Sequence, residues 1–181
     1  MSTIQFNSDI AEGNNEVRIA FYANLGFFIE TVQVLEYNLH KLYSYHLAVT
    51  EIEEKGVTKQ NIIDICKKHD NSYKKTYTKK WTLGQMKDKL AELNVLQNDV
   101  IAAFKDINDY RNLIVHKLFQ NNLVCHEFSN AENVAKYMQE KLLPMTNIVV
   151  ECSRMVAKII TAYSDDLHAY KRQFGIPYEG A

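Results

Sequence analysis

No glycine or proline interrupts the stretch from Asn98 to Leu118, NDVIAAFKDINDYRNLIVHKL, and an apolar residue returns at Val100, Phe104, Ile107, Ile114 and Leu118. That spacing is the stripe of an amphipathic helix, which has to lay its apolar side on a core. The same shortage of chain-breaking residues holds throughout, with six Gly and two Pro among 181 residues. Few turn residues mean few, long elements, which argues against a loop-rich or many-stranded fold.

From Glu16 onward Ala20, Leu25, Phe28, Val32, Leu35, Leu39 and Leu42 recur at helical steps, predicting a helix to about Glu54, while the polar residues 1 to 15 are expected to fray. So long a helix is expected to bend or break at Gly26 or over Tyr43 to His46. Gly56 is placed to close it and Thr58 to open the next helix through Ile62, Ile63, Ile65 and Cys66. From Lys67 to Lys80 the apolar period is lost, which reads as a solvent-facing loop or a loose helix.

Thr82 and Gln85 have the spacing of a capping box opening a short helix through Leu90 and Leu93, interrupted by Asn94 before the Asn98 helix. Asn121 and Asn122 should end that helix, with a connection over 121 to 128 and a short extended piece at Leu123 to Cys125. Ser129 and Glu132 make a second capping box. The last helix should run to about Gln173, kinked or split by Pro144 and ended by Gly175 and Pro177. The expectation is an all-α fold, an up-and-down bundle of four to six helices in a single domain over residues 1 to 181. A domain of that size buries roughly 70% of the surface its unfolded chain exposes.

Cys66, Cys125 and Cys152 are widely spaced and form no Cys-x-x-Cys pair, and the N-terminal residues lack a basic region followed by an apolar one. The chain therefore reads as cytoplasmic and reduced. Its most apolar candidate span, Ile148 to Ile160, contains Glu151, Arg154 and Lys158, so no membrane association is expected. A net charge of −1 hides a polarised distribution. Residues 1 to 56 hold three basic against eight acidic side chains, a net of −5, and residues 67 to 89 hold eight against two, a net of +6.

Within the Asn98 helix, Arg111 falls on the apolar stripe between Ile107 and Ile114, where a charge is costly unless it is satisfied. Asn112 and His116 are four apart and share a second, polar face with Asp109. The spacing Arg-Asn-x-x-x-His on a late helix of an all-helical chain resembles the signature of the HEPN superfamily, and WTLGQM at Trp81 to Met86 is similar to a segment in some HEPN-like families. The resemblance implies a HEPN-like bundle and a metal-independent endoribonuclease of toxin, abortive-infection or phage-defence type, with no cofactor. It also implies a homodimer whose two motifs face one composite cleft, an RNA substrate, and a cognate antitoxin protein as a candidate partner.

The residue types suit that chemistry. RNA cleavage without metal needs a proton taken from the 2′-hydroxyl, a proton given to the departing 5′-oxygen, and stabilisation of the charge between them. An imidazole titrates near cellular pH, so His116 is the proton-transfer group. Arg111 offers a planar fork of donors to hold the phosphate, and Asn112 can position phosphate or imidazole. The plainer reading keeps the helical dimer as a non-catalytic binding module in which Arg111 is a structural ion pair with Glu30 or Glu36 and His116 is incidental.

Other constellations are weaker. Lys74, Lys75, Tyr77, Lys79 and Lys80 form a candidate RNA surface, because lysines neutralise phosphates and rings stack on bases, although such runs are commonly solvated surface. Cys66 with His69, and Cys125 with His126, lack the second ligand pair of a zinc site, so no metal is expected. Nothing marks Cys125 as an activated nucleophile, and no phosphate-binding glycine loop is present.

Overall fold

A computed structural model of the chain describes residues 12–78, 81–118 and 130–177. Among these residues every regular element is helical. Helix α1 is Glu12–Lys55, α2 is Lys59–Thr78 and α3 is Leu83–Glu92. Helix α4, Asn98–Asn112, continues into a π-helical turn, Leu113–Lys117. Helix α5 is continuous in three stretches: Ala131–Tyr137, a second π-helical turn Met138–Leu142, and Leu143–Gln173. The chain is thus an all-α bundle, with five helices among the described residues.

Local chemistry sets the helix ends. Gly56 takes φ of 89°, a left-handed conformation that suits glycine, and Thr58 caps α2 by accepting from the Asn61 N–H at 3.2 Å. Thr82 caps α3 reciprocally: its hydroxyl accepts from Gln85 N–H at 3.4 Å, and its own N–H donates to the Gln85 side chain at 2.9 Å. At the other end of α3, Asn94 with φ of 54° lets Val95 N–H reach the Leu90 carbonyl at 3.1 Å. Gly175 closes α5 the same way, with Ile176 N–H on the Lys171 carbonyl at 3.0 Å.

Three expectations need correction. Helix α1 runs unbroken through Gly26 and through Tyr43 to His46. Of the two readings of Lys67 to Lys80, loop or loose helix, the helical one holds from Lys67 to Thr78, the second half of α2. The cap of α5 is Asn130, whose side chain accepts from Asn133 N–H at 2.8 Å; asparagine caps as well as serine does, and the helix starts one residue later than a Ser129 cap would allow. Pro144 does not split α5. Having no N–H, it cannot donate to the preceding turn, and the wider π-helical turn just before it accommodates the change. The expected helix end at Asn121 and Asn122 and the extended piece at Leu123 to Cys125 lie outside the described residues.

Helix α1 is the spine. Phe21 pairs with Tyr137, His46 with Tyr163, and Glu53 with Tyr170, so α1 and α5 run in the same direction over most of their lengths. Glu51 meets Lys68 and His69, which turns α2 back along α1. Tyr110 near the end of α4 reaches Tyr137 near the start of α5, so α4 runs opposite to α5. The main core gathers the inner face of α1, from Phe21 to Leu42, with Leu83, Met86 and Leu90 of α3, the α4 stripe, and Val149, Cys152 and Val156 of α5. A smaller core at the far end joins Val49 and Ile52 of α1, Ile62 and Ile65 of α2, and Leu167 of α5.

Candidate functional site at the end of helix α4

All five apolar positions of the α4 stripe are buried, and Phe104 and Ile107 are fully enclosed. Burial of that stripe determines what the remaining residues of the helix can face. Arg111 sits between Ile107 and Ile114 and is half-buried. It donates from Nη1 to the Asn112 side-chain oxygen at 3.2 Å.

Immediately after Asn112 the hydrogen-bond step changes, and Leu118 N–H bonds to the Leu113 carbonyl at 2.9 Å, five residues back. One extra residue is thereby held within the turn that carries His116. Leu118 still reaches the core, while Val115 and His116 are left exposed. Arg111, Asn112 and His116 therefore occupy two consecutive turns, with Arg111 and Asn112 joined by a hydrogen bond and His116 open to solvent. Asp109, on the same polar side, is exposed.

The opposing carboxylate is Glu36. It is half-buried on α1, and burial pushes its carboxyl pKa up, opposed by the Arg111 charge and by a hydrogen bond from Leu83 N–H. Glu36 thus lies near the N-terminus of α3 and within electrostatic reach of Arg111. Glu30, the other carboxylate considered, is exposed, and among the described residues none brings a carboxylate within 4 Å of the Arg111 guanidinium.

Beside Arg111, the Tyr110 hydroxyl donates to the Tyr137 hydroxyl at 3.1 Å, and its ring packs edge-on to Phe28 with centroids 5.3 Å apart. Burial pushes the Tyr110 phenol pKa up, so it remains a proton-bearing donor that ties α4 to α5. Reasoning from the chain alone missed this pair. Tyr110 directly precedes Arg111, but its partner is far away in sequence.

Of the candidate RNA surface, Lys74, Lys75 and Tyr77 fall on the second half of α2, and Lys79 and Lys80 lie outside the described residues. Cys66 and His69 are on α2, while Cys125 and His126 lie outside the described residues. Comparison with family models, with curated proteins and with solved structures found no match.

Proposed function

We propose that the chain is a HEPN-like, metal-independent endoribonuclease of toxin or phage-defence type, acting as a homodimer with the α4 motif of each protomer in one cleft. The observation that carries this reading is the joining of Arg111 to Asn112 next to an exposed His116 on the π-helical turn. A cationic fork, an amide and an imidazole within two turns match the needs of phosphate binding, orientation and proton transfer. Interruptions of α-helical geometry of this kind recur at functional sites.

In the proposed reaction Arg111 holds the non-bridging phosphate oxygens and offsets the charge that builds on them. His116 takes the 2′-hydroxyl proton as that oxygen attacks phosphorus, giving a 2′,3′-cyclic phosphate. The histidine of the second protomer supplies the proton to the departing 5′-oxygen. Support for pairing comes from the first half of α1, where Ile19, Tyr22, Phe27 and Val34 are about half exposed or more. Exposed apolar side chains gathered on one helix mark a surface that a partner can cover.

One observation favours the non-catalytic reading: the proximity of Glu36 to Arg111, which gives the arginine a structural counter-charge. Induced expression separates the two. The nuclease reading expects growth arrest with the wild type and normal growth with His116→Ala at equal protein levels; equal growth of both cultures, arrested or not, removes the support for a toxic nuclease.

A further inference from the structure

From Ile19 to Val34 the exposed positions of α1 recur at steps of one and three residues, which places them all within one arc of about 140° on the helix. Ile19, Tyr22, Phe27 and Val34 on that arc are about half exposed or more, and Glu30 is the one charged residue among its exposed positions. Near the centre stands Gly26, in the interior of a helix of 44 residues. Glycine is disfavoured there relative to alanine, because it gives up more backbone freedom on becoming helical. Nothing within the protomer calls for it. Beyond its own stretch of helix, no heavy atom among the described residues lies within 4 Å of where a Cβ would stand, and its φ is not left-handed.

The arc is self-complementary when turned end for end about the Gly26–Phe27 peptide. Phe27 then comes to Gly26 of a second copy, Ile19 to Val34, and Glu30 to Ala23. A large ring meets a missing side chain, a branched apolar residue meets another, and the carboxylate meets a methyl group. The two Glu30 positions stand seven residues apart along the pair, about 10 Å at 1.5 Å per residue. Parallel packing in register would instead set Glu30 against Glu30 and Phe27 against Phe27. Self-complementarity of one patch is what a two-fold homodimer requires. Aromatic side chains carry about 150 to 250 Å² each, so the arc and its copy would together remove roughly 1,000 Å² from water, close to the least that a specific interface buries.

We propose, on the basis of the homodimer reading above, that two copies pack α1 against α1 in antiparallel, crossing at Gly26 and Phe27, with Phe27 of each copy filling the space over Gly26 of the other.

The test is sedimentation equilibrium of the full chain, wild type against Gly26→Arg, with folding checked by circular dichroism. The wild type should be a dimer and Gly26→Arg a folded protein whose association is weakened at least about tenfold, since the added side chain meets nothing in its own protomer but obstructs the partner. Direction is read by mild oxidation of two further variants against the wild type as background. Gly26→Cys, beside the two-fold, should form a disulfide-linked dimer, and Ile19→Cys, whose copies stand about 22 Å apart along the pair, should not. A wild type that stays monomeric overturns the proposal, as does a Gly26→Arg dimer as tight as the wild type, or Ile19→Cys linking as readily as Gly26→Cys. RNA cleavage is followed on the same preparations. A dimer broken by Gly26→Arg, with no cleavage by the wild type, upholds this interface and removes the nuclease reading; a cleaving Gly26→Arg dimer of undiminished affinity does the reverse.

Discussion

At the residue scale the central question is what Arg111 is for. The sequence placed it on an apolar stripe, and the structure puts it there, half-buried between Ile107 and Ile114. A charge in that position bonded in contact to a buried carboxylate would cost about 3 to 5 kcal/mol to remove, because the partner is left unpaired. The contact found is instead with Asn112, and Glu36 is influenced only at longer range. Arg111→Ala should therefore destabilise the fold by about 1 kcal/mol, the worth of one hydrogen bond, and under the proposed nuclease reading it should also abolish cleavage of RNA. Chemical denaturation measures it. A loss of about 3 kcal/mol or more would make Arg111 a structural ion pair first.

At the element scale, the features legible in the chain were those whose cause is local. Gly56, Thr58, Thr82 with Gln85, and Gly175 each act on atoms within a few residues, and each stands at the helix end expected of it. The two π-helical turns were not legible. An inserted residue is accommodated by the packing of neighbouring helices, and no residue type in Leu113 to Lys117 announces it. Near Pro144 the local signal was present but its outcome depended on the fold: packing along α1 keeps α5 helical, and the change of geometry is confined to one turn. Pro144 is exposed, so its ring buries little. Replacing it with alanine should restore a donor and raise stability by about 1 to 3 kcal/mol, seen as a higher melting temperature. A lower melting temperature would mean that the π-helical turn needs the proline.

At the scale of the whole molecule, the all-α bundle followed from period and length, but the convergence of distant residues did not. A cavity of about 410 Å³ takes its walls from residues 37 to 48, 66 to 70 and 164 to 171, brought together by the parallel course of α1 and α5 and by α2 turning back along α1. The same convergence governs response to acid. Burial pulls the pKa of His40 and His46 below 6.5, so the unfolded chain takes up protons first and stability falls as pH drops past that value. Glu36 acts with the opposite sign: its pKa is raised by burial, and its contribution, complete below 4.5, is lost as pH rises through the folded value. Glu51, held at about 2 by hydrogen bonds from Lys55, Lys68 and His69, adds stability above 4.5 that is lost as pH falls toward 2. Denaturation midpoints should therefore decline gently from pH 6.5 to 4.5 and more steeply below. A midpoint that is level or rising below pH 4.5 would contradict the role given to Glu51.

The most direct test of the nuclease account is incubation of purified wild type and His116→Ala with total RNA in excess chelator, followed by end-group analysis of the fragments. The account predicts fragments ending in 2′,3′-cyclic phosphate from the wild type alone. Equal cleavage by both proteins, or cleavage by neither, would contradict it and leave the helical binding module as the better reading.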